Sequence, residues 1–346
     1  MRWVVVLAGG VGSRFWPVST AERPKQLLAL AGDRPLVVDA VARLLPLVPV
    51  ERVLLVGSLP VQAALRRALP DVPAGNVLAE PFAASTAPAL AWATARARAA
   101  DPGATVLSVH ADWTVGDPEG FRAAAAAALD LAEREDVLVT VGARATRPEI
   151  GYGYIVPGER IGPGPARRIA RFVEKPGAAA AQALIAGGAL WNTGMFAWTA
   201  ARFRSECERL ARELAGGLPA LDRGEIEAFY RAVRPVSVDV GLYERTERGA
   251  VLAGDFAWDD VGSWAALPKV RGVDAAGNTV AGTTLVIDGT NNIVLSDDAT
   301  LIATVGVSDL IVVKSGDAIL VIHKDQAQDV RKVIEALSAR NLARYL

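Results

Sequence analysis

One cysteine and two histidines are all that 346 residues contain of the two commonest metal-ligating side chains. A lone Cys207 cannot form an internal disulfide or a cysteine-based zinc site, and two histidines cannot form a three-histidine metal centre. An excess of charge of either sign is also missing. Lys plus Arg number 37 and Asp plus Glu 38, a net charge of -1, which excludes the basic signature of a nucleic-acid-binding domain. No apolar run reaches the length of a bilayer span. The first residues, Met1-Arg2-Trp3-Val4-Val5-Val6-Leu7, enter a glycine loop without the small-residue cleavage site of a signal peptide. The expected setting is therefore cytoplasmic, with no membrane and no nucleic-acid partner. Six Asn and five Gln against 20 Pro fit a thermophile, and a GC-rich genome gives the same bias.

What is present is a large apolar fraction, 51%, with 22% charged residues, enough for one large or two modest folded domains. Apolar runs at 3–7, 52–56, 105–109 and 137–141 read as buried strands. Helical stretches at 36–45, 61–69, 87–100 and 121–134 alternate with them. This alternation predicts an α/β domain around a doubly wound, mostly parallel sheet. Beyond residue 150 the pattern changes. Strands are expected at 152–156 and 168–173 and an amphipathic helix at 201–214. From 278 to 322 helical signals vanish, and short apolar runs separated by Gly, Asp and Asn predict a small all-β domain, closed by a helix at 325–337. The expected division is 1–272 and 277–346.

The chemistry starts at Leu7-Ala8-Gly9-Gly10-Val11-Gly12-Ser13-Arg14, directly after the first strand. Three glycines let backbone amides approach a phosphate closely. The loop is neither of two common types: Phe15 occupies the third glycine of a dinucleotide fingerprint, and no Gly-Lys-Ser/Thr follows. Arg14 and Lys25 flank it on a stretch stiffened by Pro17 and Pro24, and two cations beside such a loop suit a triphosphate. Further acidic candidates follow at strand-end or loop positions: Asp112 after the third strand, and Asp259-Asp260 before Val261-Gly262. In extended chain, neighbouring side chains face opposite ways, so one of the latter pair should reach a common site.

The run from Leu7 to Ser19 together with Pro24-Lys25-Gln26 resembles the signature of the sugar-1-phosphate nucleotidyltransferases. Trp16-Pro17 and Lys25-Gln26 point to the mannose-1-phosphate guanylyltransferase branch. The resemblance implies a nucleotide-diphospho-sugar transferase-like catalytic domain and a C-terminal β-helix-like appendage. It implies transfer of GMP from GTP to mannose 1-phosphate, giving GDP-mannose and pyrophosphate by direct Mg²⁺-assisted in-line attack. Residue by residue, it implies catalytic roles for Arg14, Lys25 and Lys175. Nucleotide contacts fall to Leu7, Ala8, Gly9, Gly10, Gly12, Ser13, Glu80 and Pro88. Glu80 would accept hydrogen bonds from guanine N1 and its exocyclic amine. Gly153, Glu174, Asn192 and Asp239 would hold the sugar, and Asp112 and Asp260 the Mg²⁺. Three departures stand out: His110 and Trp113 flank Asp112 where the family has proline and histidine, and Ala84-Ser85 replace Arg-Asn in the base-reading segment.

His110, with Mg²⁺ preferring oxygen, reads as structural or supporting; Cys207 reads as inert, and Trp191, Met195 and His323 as structural. Three rival functions remain at this point: the same chemistry with another pair such as glucose 1-phosphate and dTTP or UTP, a non-catalytic nucleotide-sugar sensor, and an NAD-dependent dehydrogenase, which Phe15 disfavours. A homodimer through the appendage is an expectation that sequence alone does not decide.

Overall fold

A computed structural model describes residues 1–10 and 12–346, so Val11 of the glycine loop lies outside the described residues. The N-terminal region carries the strands β1 (Arg2–Leu7), β2 (Val53–Ser58), β3 (Val77–Glu80), β4 (Thr105–His110), β5 (Thr114–Val115), β6 (Leu138–Arg144), β7 (Tyr154–Arg160), β8 (Arg167–Val173), β9 (Leu190–Thr199), β10 (Gly249–Gly254) and β11 (Trp258–Asp259). Nine of them form one sheet in the order β3-β2-β1-β4-β9-β6-β10-β8-β7. Following the pairings across it, seven strands point one way, and β8 and β9 run against them. The expected mostly parallel sheet is present, with β9 inserted antiparallel between β4 and β6.

β1 shows why this sheet must be central. Trp3, Val5 and Leu7 join the core on one face, and Val4, Val6 and Ala8 join the core on the other. A strand buried on both sides has to be apolar throughout rather than alternating. Helices Thr86–Ala100 and Ala200–Leu210 cover the first face, and Pro118–Glu135 packs on the second. Asp117 caps Pro118–Glu135, accepting from the amides of Glu119 and Gly120, an N-terminal cap placed before a proline that has no amide to satisfy.

Several elements differ from the sequence-based expectation. The helix expected at 201–214 ends at Leu210, and the backbone continues as turns to Leu214. The strand expected from residue 152 starts at Tyr154. The closing helix starts at Val330, after a 3₁₀ turn over Lys324–Asp329. The sequence pattern does not predict β3, β9 or β10. β3 is only four residues long, and β10, Gly249–Gly254, has small residues where a strand normally carries bulk.

The C-terminal segment stacks β12 (Thr279–Ala281), β14 (Ile293–Ser296) and β16 (Leu310–Ser315) in parallel, with β13 (Thr284–Ile287) parallel to β15 (Ile302–Val305) and β17 (Ala318–His323) returning antiparallel on β16. Parallel short strands at successive rungs are the wall of a β-helix. Buried asparagines tie the rungs. Asn292 donates its amide to Asn278 Oδ1 (2.9 Å) and its side-chain NH₂ to the Val307 carbonyl (2.8 Å), and its Oδ1 accepts from the Leu310 amide (3.0 Å). Polar side chains replace backbone ladder bonds at the corners, where the chain turns out of the sheet.

This module does not stand apart. Ile293, Ile311 and Val330 share one core with Phe15, Trp16, Leu28 and Trp264 of the N-terminal region. Arg271 donates to the carbonyls of Ala29, Leu30 and Gly32, and Arg23 pairs with Asp297 (2.5 Å).

Asn292→Ala removes the partners of the part-buried Leu310 amide and Val307 carbonyl and breaks the bridge between rungs. It is expected to lower unfolding free energy by about 2 kcal/mol or more, read in urea denaturation; an unchanged midpoint would refute the ladder's structural role.

Candidate active site

The ends of β1, β3 and β4 and the segment after β11 converge at one edge of the sheet. Open α/β sheets bind ligands beyond the carboxyl ends of their strands. Here a cleft of about 300 Å³ is lined by Leu7, Ala8, Gly9, Gly10, Glu80, Ser85, His110 and Asp112, among others. A wider groove of about 970 Å³ opens elsewhere, between helices Thr86–Ala100 and Ala200–Leu210, and holds none of the residues singled out from the sequence.

The glycine loop owes its shape to Lys25. Gly12 has φ +69°, and a Cβ there would stand 2.3 Å from Lys25 Cβ. No other residue fits, for reasons of both backbone angle and space. Gly9 is less constrained, its missing Cβ lying 3.4 Å from Glu80 Oε2, and Gly10 is open. Ser13 and Arg14 begin a 3₁₀ turn, Ser13–Phe15. Gln26 is buried and donates to the Ala8 carbonyl (2.5 Å), holding the loop's start.

Lys25 is itself buried, at 5% exposure. Its ammonium donates to Asp112 Oδ2 (2.9 Å) and to the backbone carbonyl of Asp260. Burial alone would push the Asp112 carboxyl up, but the charge of Lys25, aided by His110, outweighs it and holds that carboxyl below its ordinary value. Asp260 goes the other way. Burial raises it, and Lys25 and the Tyr152 hydroxyl only partly oppose this, while Asp112 adds to it. Tyr152 donates to Asp260 Oδ1 (3.0 Å) and packs against Trp191 and Trp258.

The two neighbouring acids separate as expected. Asp259 turns away, accepting from the Val261 amide (2.9 Å) and facing Lys269 (3.4 Å). Val261 has φ +42° and is fully buried. A β-branched residue in that region is strained and persists only where its surroundings hold it. The strain turns the chain so that Asp260 faces the lysine. Gly262 follows; a Cβ there would meet Asp260 Oδ1 at 3.2 Å and Arg14 Nη1 at 3.4 Å, so the glycine sits between that carboxylate and that guanidinium. Two oxygen donors supplied by protein, with room left for substrate oxygens, are what Mg²⁺ accepts, and among the described residues no larger cluster of metal-ligating side chains exists.

At the base end, Glu80 is 9% exposed, and its Oε1 accepts from the Tyr230 hydroxyl (3.0 Å). Burial pushes its carboxyl up and the Tyr230 bond pulls it back. Thr86 and Ala89 line the cleft, whereas Pro88, expected to touch nucleotide, is buried in the first turn of helix Thr86–Ala100. Ser85, in place of the family's asparagine, has φ +68°.

The residues expected to hold the sugar form a second group. A Cβ on Gly153 would lie 2.6 Å from Glu174 Oε2 and 3.3 Å from Asn192 Cβ. The Asn192 amide donates to the Gly153 carbonyl (2.8 Å), and its side-chain NH₂ donates to Asp239 Oδ1 (2.8 Å). Burial, helped by Glu174, pushes the Asp239 carboxyl up to about 6. Lys175 is largely exposed, pairs with Glu174 (2.8 Å) and has φ +45°. So the structure gathers Gly153, Glu174, Asn192 and Asp239 as expected. Tyr152, Tyr230, Gln26 and Gln328 donate to or accept from site residues and lie outside the set expected from the sequence. Tyr152 and Gln26 stand inside recognisable motifs that could have pointed to them; Tyr230 and Gln328 carry no local signal.

His110 lines the same cleft as the glycine loop and packs against Trp113, and a Cβ on Gly194 would touch its ring at 3.1 Å. Cys207 is fully buried among apolar side chains.

Residues 3–275 match the family model described as nucleotidyl transferase, and residues 282–337 the one described as MannoseP isomerase/GMP-like beta-helix domain. A mannose-1-phosphate guanylyltransferase of Escherichia coli (strain K12) is 36% identical over 354 residues, covering 97% of this chain and 73% of that protein. An alginate biosynthesis protein, AlgA, of Pseudomonas aeruginosa is 34% identical, covering 97% and 72%. A crystal structure described as mannose-1-phosphate geranyltransferase from Thermus thermophilus superposes with a TM-score of 0.88 at 37% identity, covering 97% of this chain and 99% of that one.

The raised Asp239 carboxyl sets a pH dependence. A folded value of about 6 above the ordinary 3.8 means the native state binds the extra proton between those values, so this group's contribution falls as pH rises from about 4 to 6. Asp239→Asn is expected to be more stable than the wild type at neutral pH by about 3 kcal/mol, with the gain vanishing below about pH 4. Urea unfolding at about pH 4 and at about pH 7.5 checks this; an equal difference at both would refute it.

Proposed function

The chain belongs to the nucleotidyl transferase family, and from that premise we propose how its residues carry out the reaction. The activity is that of a mannose-1-phosphate guanylyltransferase: GMP passes from GTP to mannose 1-phosphate, giving GDP-mannose and pyrophosphate. The attacking oxygen is already anionic at neutral pH, so the residues need not remove a proton. The barrier is the approach of two polyanions in line.

In our reading the chain meets that barrier with Lys25, Arg14 and Lys175. The observation that carries it is the buried Lys25 ammonium bonded to Asp112 and to the Asp260 carbonyl beside the glycine loop. Lys25 would face the α-phosphate, Arg14 the outer phosphates and Lys175 the sugar phosphate, exchanging its bond to Glu174 for one to substrate. Asp112 and Asp260 would hold the Mg²⁺, which supplies charge neutralisation at the phosphates when bound. The hard oxygen donors and the uncompensated burial of Asp260 support this assignment. Leu7 to Ser13 would line the nucleotide, with Gly9, Gly10 and Gly12 allowing close approach. Glu80 would accept from guanine N1 and its exocyclic amine; its bond from Tyr230 keeps the carboxylate aimed. Gly153, Glu174, Asn192 and Asp239 would hold the mannose hydroxyls.

We take residues 1–272 as the catalytic unit and 277–346 as its appendage, working in the cytoplasm, where both substrates are at hand. A homodimer belongs to the same reading. Its support is the exposed Leu285, Ile287, Val305, Ile319 and Val321 on the appendage, apolar surface of the kind a partner covers. Work at high temperature is supported by ion-pair clusters such as Arg204 with Glu208 and Asp222.

Pyrophosphate release, crossing GTP, dTTP, UTP and ATP against mannose 1-phosphate and glucose 1-phosphate with Mg²⁺, tests the reading. Release confined to GTP with mannose 1-phosphate is expected, and preference for another pair would overturn the base or sugar assignment. Lys25→Ala and Asp112→Ala should each lose roughly 10²–10³ in rate while folded; wild-type turnover in either would remove that residue from the mechanism.

A further inference from the structure

Among the described residues, the hydrogen bond that holds Arg14 comes from the C-terminal module. Arg14 Nη1 donates to Oε1 of Gln328 (3.2 Å), on the 3₁₀ turn that leads into the closing helix of that module. That helix, Val330–Ala339, packs against the turn Ser13–Phe15 that carries Arg14. The register of this packing is fixed on both sides of the arginine. The Trp16 indole donates to the Tyr345 carbonyl (2.7 Å), and the Trp264 indole donates to the Trp16 carbonyl (3.1 Å). Phe15 packs edge-on against Trp264, with ring centroids 5.0 Å apart.

One turn beyond Gln328 lies Arg331, close enough that its charge, after burial, is the second influence lowering the proton affinity of Arg14, while Asp260 and Asp112 act in the opposite direction. Neither guanidinium has an ion-pair partner among the described residues. Two unpaired cations brought together from separate modules repel each other. An arrangement that leaves both guanidinium groups without an ion pair suits a polyanionic ligand. Both Gln328 and Arg331 are exposed, so neither is needed to fill the shared core.

We propose that the C-terminal module completes the polyphosphate site: Gln328 is a positioning residue for Arg14, and Arg331 is a further cation for the β- and γ-phosphates of GTP and for the pyrophosphate that leaves. This rests on the nucleotidyl-transfer reading above. It makes the β-helix module part of the substrate site rather than a scaffold alone. It also separates the ligands. GTP and free pyrophosphate carry the phosphates concerned, whereas GDP-mannose carries only the two that stay with the nucleotide and sugar.

The test compares wild type with Gln328→Ala, Arg331→Gln and Arg331→Lys in the full chain. Calorimetry with inorganic pyrophosphate and with GDP-mannose, both with Mg²⁺, is set beside steady-state pyrophosphate release. Gln328→Ala and Arg331→Gln should each weaken pyrophosphate binding and raise KM for GTP about tenfold, the scale of one charge-assisted hydrogen bond. GDP-mannose affinity should be unchanged, and Arg331→Lys should recover most of the loss. Unchanged pyrophosphate affinity in both variants, or a parallel loss of GDP-mannose affinity, would overturn the proposal. Absence of pyrophosphate release from the wild type would instead fault the parent reading, so the two failures are distinguishable.

Discussion

Lys25 carries a positive charge into the point where the glycine loop, the end of β4 and the segment after β11 meet, and each of these is shaped around it. Gly12 exists because the lysine's own Cβ fills the space a side chain would take. Asp112 is ionised because the ammonium lies 2.9 Å from its Oδ2. The strained Val261 and the turned-away Asp259 set the Asp260 carbonyl onto the same ammonium. A buried ion pair contributes little to stability once desolvation is counted. Its value here is preorganisation: the groups that meet developing charge are fixed before substrate arrives.

Around that point the site is built in two halves with separate electrostatics. The half expected to hold the nucleotide sets Lys25 and Arg14 against Asp112 and Asp260. The half expected to hold the sugar brings Glu174 and Asp239 close enough to push the Asp239 carboxyl up. Tyr152 links the halves through Asp260, packed against two tryptophans that keep it in place. Lys175 is paired with Glu174 in the second of these halves.

Much of this is legible in the sequence because the informative residues are local. The loop from Leu7 to Ser19 with Lys25, Asp112 at a strand end, and Asp260 before Val261-Gly262 are short patterns whose resemblance to the family signature implies a chemistry. Alternation of apolar strands and helices points to the sheet. What is not legible depends on contacts distant in sequence. Tyr230 reaches Glu80 across 150 residues and Gln328 reaches Arg14 across 314, and neither has a motif of its own. β9 lies between β4 and β6 although it follows both in the chain, and only its pairing explains the buried Phe196-Ala197-Trp198. Pro88 belongs to a recognisable segment, but the helix rotates it inward and turns Thr86 and Ala89 toward the cleft.

The central claim is that Lys25 and Asp112 act as one preorganised unit rather than as two independent contacts. A double-mutant cycle measures this directly: single-turnover rates of GDP-mannose formation for wild type, Lys25→Ala, Asp112→Ala and the double variant. Groups that act as a unit are non-additive, so the double variant should be no slower than the slower single variant. Losses that multiply would contradict the account, because each residue would then contribute without the other.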